Sequence, residues 1–317
     1  MKARPQTTTS ATRGFGLIAV MIAMLAVPAA LTLRTVRVSA VADVATHNPS
    51  PLAYTVSLLL FAIPITVIAF WFVPLTEVRI AKKAFWWTIG LLFPIGALLD
   101  FLFANLFFTF PNLLATLGWR APALHGGVPI EEYIFYFLGF VAVLLTYIWT
   151  DEYWFSAYSV SEDAPERVDF DRLLGLHPGS VVLAVVLIAA AVGYKKLVSD
   201  EPEGFPGYWS FLVIAALAPS AALYASVRTV VNWRAFSLTA YIILLTSLIW
   251  EVTLALPYGW WGFQSQQMMG VRITAWAGLP IEEVVLWLTV SFTTVLVYEA
   301  VKRWKASGRP MWDALMG

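Results

Sequence analysis

The chain is 317 residues long, 60% apolar and 13% charged, with twenty basic and twenty acidic residues and a formal net charge of zero. Soluble domains run about 45–50% apolar and about 25% charged, so the composition excludes an ordinary water-facing globule. No dense basic stripe points to a nucleic-acid partner, and the absence of cysteine excludes disulfides, thiolate metal sites and a cysteine nucleophile.

A membrane-spanning helix needs about 20 mostly apolar residues. After a polar tail at 1–14, eight such segments are predicted, at roughly 15–33, 53–75, 85–108, 129–149, 179–194, 208–227, 235–257 and 280–301. The first resembles a signal peptide, with Arg13 before an apolar run that ends near Val38-Ser39-Ala40. It is read as a helix because a later segment corresponds to it. Between the fourth and fifth lies a polar, acidic linker at 150–178, and a short tail at 302–317 closes the chain. The predicted class is therefore an all-α polytopic membrane protein. With the N-terminus placed in the cytoplasm, fourteen Lys and Arg fall in inside segments and six in outside ones. That bias predicts both termini inside a cell membrane crossed many times. His47, His125 and His177 lie apart and outside the apolar spans, and read as polar loop residues, not as metal ligands.

An internal repeat organises the chain. Gly127-Val128-Pro129-Ile130-Glu131-Glu132 recurs as Gly278-Leu279-Pro280-Ile281-Glu282-Glu283, an offset of 151 residues. The same register pairs Lys83-Ala84-Phe85 with Arg234-Ala235-Phe236, Thr88 with Thr239, and Asp100 with Glu251. The offset covers four helices, an even number, so both units enter the membrane in the same direction. They span 15–149 and 179–301, related by a pseudo-two-fold axis along the membrane normal.

Asp100 and Glu251 sit inside apolar helices, where an acid costs on the order of 2.5–3.5 kcal/mol to insert. Intramembrane ionisable groups of that kind mark function more often than not. Each Pro-Ile-Glu-Glu follows such an acid by 31 residues. The motif is also a good helix start in its own right, with Pro suited to the first helical position and Glu to the first turn. Neighbouring residues on a helix point about 100° apart. One Glu of each pair can thus face a cavity between the units while the other caps or pairs elsewhere. Most of the many aromatic residues fit lipid-facing bulk and interfacial belts. Phe135, Tyr136, Trp250 and Trp287 lie near the acids and are candidates to hold a substrate through their ring faces.

These residues together resemble the membrane-integral lycopene cyclases of the heterodimeric type, here in fused form. The likeness rests on Pro129–Glu132 and Pro280–Glu283, with Asp100, Glu251 and the aromatic helices in support, and covers roughly 53–149 and 208–301. One departure is Val284-Val285-Leu286 after the second motif, where the first has Tyr133-Ile134-Phe135. The resemblance implies a lycopene β-cyclase, an isomerase that closes the linear ends of a carotenoid into β-ionone rings without redox change. An acid protonates the terminal alkene, a carbocation closes the ring, and a base removes a proton. No cofactor or metal is implied, in keeping with the lack of a Gly-x-Gly-x-x-Gly fingerprint. The implied partners are lycopene, the bilayer, and either further copies of the chain or other carotenoid-pathway enzymes. On this reading Glu131 and Glu282 are the expected proton donors, Glu132 and Glu283 their partners or bases, and Asp100 and Glu251 tuning or relay groups. The rival readings are a carotenoid hydratase and a proton-coupled transporter, to which parallel repeats and intramembrane acids also belong. A paired-glutamate intramembrane protease fits poorly, since Tyr136 and Trp287 stand where an Arg would be expected.

Overall fold

The computed structural model describes residues 50–72 and 80–317. The tail at 1–14, the predicted span at 15–33 and Arg79 lie outside the described residues. The described residues contain seven helices long and apolar enough to cross a membrane, at Ala53–Trp71, Lys82–Phe107, Ile130–Trp154, Pro178–Leu197, Gly207–Val227, Trp233–Ala255 and Ile281–Ser307. The molecule is an all-α polytopic membrane protein.

The helices are α1 (Ala53–Val67), α2 (Lys82–Phe107), α3 (Ile130–Trp149), α4 (Pro165–Val168), α5 (Pro178–Leu197), α6 (Gly207–Val227), α7 (Trp233–Trp250), α8 (Ile281–Ser307) and α9 (Met311–Met316). Three of them run on into π-helical turns: Ile68–Phe72 after α1, Thr150–Trp154 after α3, and Glu251–Ala255 after α7. Short antiparallel pieces close one end of the bundle: β1 (Phe108–Thr109), β2 (Arg120–Ala123), β3 (Gly126–Pro129), β4 (Gly262–Phe263), β5 (Arg272–Ile273) and β6 (Leu279–Pro280). Strand β2 pairs with β3 and β5 with β6, giving each unit its own hairpin ahead of its Pro-Ile-Glu-Glu helix. Strand β1 pairs with β4 and ties the units together, helped by Asn112, which donates to the carbonyl of Tyr258 at 3.0 Å.

Packing follows the duplication. α1 lies against α3 as α6 lies against α8; α2 meets α3 and α8 as α7 meets α8 and α3. The helices that carry the motifs are thus central, and α8 is the most buried of the spans. Equivalent residues meet near the axis. The Tyr147 and Tyr298 rings, 151 positions apart, pack edge to face at 6.1 Å. Asp151 and Lys302, also 151 apart, form an ion pair at 3.8 Å.

Three expectations need adjustment. Pro129 and Pro280 are the last residues of β3 and β6, in extended conformation, and the helices begin one residue later. Proline is at home there because it fixes φ and needs no ladder donor at a strand end. α8 runs six residues past the predicted end at 301. Its last turns stay helical because Arg303 donates to the carbonyls of Arg167 and Glu166 at 3.1 and 2.8 Å. The acidic linker is also less loose than its composition suggests. Arg167 of α4 is fully buried and reaches Glu299 at 2.6 Å, while Tyr147 donates to the same carboxylate at 3.1 Å. Burial opposes the charge on Arg167, but Glu299 outweighs it and holds the guanidinium above its ordinary range. The C-terminal segment docks on the linker through Ala314, Phe170 and Leu173.

Candidate functional site

The hairpins decide which Glu of each pair turns inward. In the first unit β2 and β3 lie so close that a Cβ on Gly127 would stand 3.0 Å from the Arg120 side chain. The chain folds back over the start of α3, and Glu131 accepts from the Leu117 N–H at 2.7 Å and the Thr55 hydroxyl at 2.5 Å. In the second unit Glu282 accepts from the Met269 N–H at 2.5 Å. The first Glu of each motif therefore anchors the loop that precedes its own helix. Free amides at a helix start and a turned-back loop are natural partners for a carboxylate.

The second Glu turns into the bundle. Glu132 accepts from the Tyr54 hydroxyl at 2.7 Å, and Asp100 is the acid it interacts with most strongly. Glu283 lies against the Tyr208 phenol and the Glu251 carboxyl. Glu251 itself accepts from the Trp287 indole N–H at 2.7 Å. Each unit thus holds an acid pair, Asp100 with Glu132 and Glu251 with Glu283. Tyr136 stands between the pairs, with Asp100, Glu132 and Glu283 all near its phenol. All four carboxyls are buried, and one oxygen each of Asp100, Glu251 and Glu283 has no hydrogen-bond donor among the described residues. An uncharged carboxyl brings its own O–H donor to such a place, whereas a carboxylate only accepts. The acids do not converge as metal ligands would; among the described residues no three His, Asp or Glu side chains form such a group.

One side of this cluster opens into a cavity of about 340 Å³ between α2 and α6, floored by α3 and α8. Its wall is almost wholly apolar, with Phe103, Phe107, Phe140 and Phe211 prominent. Asp100 is the one carboxyl on that wall among the described residues, and Tyr136 and Tyr208 lie beside it. At the hairpin end the cavity is shut by rings, with Phe103 and Phe211 at 5.8 Å and Phe107 and Tyr208 at 5.1 Å. Farther along, Ile95 and Ile214 on its wall are more than half exposed on the lipid-facing surface. The cavity is a groove open sideways to the bilayer.

The candidate rings divide between the two sides of the acid cluster. Tyr136 lines the groove. Trp250, Phe135 and Trp287 lie on the other side of the cluster. The Phe135 and Trp250 rings stack at 5.4 Å, and Phe135 and Trp287 meet edge to face at the same distance. Sequence reasoning missed Tyr54 and Tyr208. They occupy equivalent places, each in the first turn of the helix packed on a motif helix, but 154 residues apart instead of 151. An ungapped comparison passes over them; allowing a three-residue gap between α6 and α7, where the second unit is shorter than the first, would find them.

Compared with known proteins, the chain matches no family model, no curated protein and no solved structure.

Proposed function

We propose that the protein is a lycopene β-cyclase, a membrane isomerase that closes the linear end of a carotenoid into a β-ionone ring. The observation that carries this reading is Asp100, a buried carboxyl on the wall of an apolar, aromatic groove that opens to lipid. A long hydrocarbon dissolved in the bilayer can slide one end into such a groove without crossing water. In this mechanism Asp100 delivers a proton to the terminal alkene. The tertiary cation that results is attacked by the next double bond, forming the ring bond. Loss of one proton from the ring restores neutrality, so atoms and electrons balance with no oxidant or reductant. Faces of Phe103, Phe107 and Phe211 stabilise the cation. Glu132, behind Asp100, holds the proton that replenishes it. Glu283, which shares one proton with the Glu251 carboxyl and is reached through the Tyr208 phenol, is the base. The proton it gains returns to Asp100 by way of the Tyr136 phenol, which lies near both. Glu131 and Glu282, first expected as donors, are committed to loop amides and take no part in proton transfer here.

The enzyme sits in the cell membrane with both termini in the cytoplasm, a placement supported by the fourteen-to-six distribution of Lys and Arg. The test is coexpression in a lycopene-accumulating host, with separation of the carotenoids by chromatography. Monocyclic and bicyclic products are expected, and Asp100→Asn should lower ring formation by roughly 10²–10⁴-fold, the usual worth of a positioned acid. Accumulation of unchanged lycopene with folded wild-type protein would sink the assignment; a hydroxylated acyclic product would point to hydration of the same cation instead.

A further inference from the structure

The duplication implies a second groove, on the opposite side of the axis, between α7 and α1. Its wall can be read position by position. Asp100 corresponds to Glu251, so Leu99 of the open groove corresponds to Trp250. Tyr208 corresponds to Tyr54, so Ala215, seven residues on, corresponds to Phe61. Two modest side chains of the open groove, one from each unit, are thus replaced by two large rings in its counterpart. Those rings fill the counterpart space. Trp250 is buried, meets Phe61 edge to face at 5.6 Å, stacks on Phe135 at 5.4 Å, and touches Trp261 at 5.1 Å. Tyr54 completes the cluster, with its ring stacked on Trp260 at 5.5 Å. Glu251 lies behind this packing, held by the Trp287 indole.

We infer that the protein has one working groove and that its counterpart is sealed by Trp250 and Phe61, so the two ends of a symmetric substrate are processed one after the other at Asp100. The groove follows α2 from Leu92 to Phe107, fifteen steps of the helix, or about 22 Å at 1.5 Å per residue. An end seated in it leaves the other in lipid. The monocyclic species must withdraw, reverse and return before the second ring forms. The Glu251–Glu283 pair then serves the open groove from behind, through Tyr208, instead of a groove of its own.

The inference rests on the proposed cyclase reading, and the experiment keeps the two apart. In the lycopene-accumulating host, the full-length chain should release a free monocyclic product first, with the bicyclic product following after a lag. Ala215→Phe, which reproduces in the open groove the ring that seals its counterpart, should lower formation of both products at least tenfold. Asp100→Asn, nearly isosteric and thus a check against misfolding of the first variant, should leave neither product at more than about a hundredth of the wild-type level. Bicyclic product without a free monocyclic stage, or a substantial monocyclic yield from either variant, would overturn the single groove while leaving the cyclase reading intact. No cyclic product from the wild type would overturn the cyclase reading itself.

Discussion

Replacing Glu131 and Glu132 singly with Gln separates two neighbouring carboxyls that the sequence treats alike. Glu131 accepts two hydrogen bonds, from the Leu117 amide at 2.7 Å and the Thr55 hydroxyl at 2.5 Å. Gln keeps an acceptor oxygen for both. The loss is at most the difference between bonds to a charged group, about 1.5–3 kcal/mol, and to a neutral one, about 0.5–1.5 kcal/mol. For two bonds that is about 2 kcal/mol of stability, spread over the loop and the start of α3. Ring formation per folded molecule should stay close to wild type. Glu132→Gln keeps an acceptor for Tyr54 but removes the group proposed to replenish Asp100. Its loss should be kinetic, roughly 10²–10⁴-fold, equivalent to about 2.7–5.5 kcal/mol of barrier. The assay is carotenoid chromatography from the coexpression host, normalised to folded protein by size-exclusion chromatography of the extracted enzyme. Equal losses from the two variants per folded chain would refute the division of labour drawn from the hairpin geometry.

The remaining predictions concern the scaffold and the tyrosines. Arg167→Ala takes the closest cation from the buried Glu299, which keeps Lys302 at 3.6 Å, and should destabilise the protein by up to about 3–5 kcal/mol in equilibrium unfolding from mixed micelles; the double replacement Arg167→Met with Glu299→Leu should recover most of that, and failure to do so would mean the pair supplies more than mutual neutralisation. Tyr208→Phe should slow ring formation at least tenfold, because this phenol borders the groove. Tyr54→Phe removes a bond to Glu132 in the closed half and should cost about 1 kcal/mol of stability with less effect on rate. Trp287→Phe should lower stability by a similar amount, and nothing further should be lost when Glu251 is already Leu, which offers the indole no acceptor, as a double-mutant cycle would read.

The spans were legible because lipid imposes a length and an apolarity that no other constraint imitates. The duplication was legible because the motif, Asp100 and Glu251 kept one register. The orientation of each Glu was not, since both residues of Pro-Ile-Glu-Glu suit a first turn and the choice is made by a hairpin that folds back from fourteen residues upstream. Arg167 was equally opaque. Among Asp163, Glu166, Asp169 and Asp171 it reads as one charge in a solvated linker, and only the position of Glu299, 132 residues away, makes it a buried anchor. The unequal grooves escaped notice for a different reason: Leu99 and Trp250 are both ordinary apolar residues of a spanning helix, and their difference in size acquires meaning only when the units are superposed.

The ion pair of Asp151 with Lys302 has a consequence for how the two units can assemble. The partners occupy the same position in each unit, so across the axis opposite charges meet. Two copies of the first unit joined the same way would bring aspartate to aspartate, and two copies of the second would bring lysine to lysine. Cut apart and produced as separate polypeptides, the units would therefore prefer each other to themselves; fusion guarantees one of each, and frees either to drift from twofold sameness.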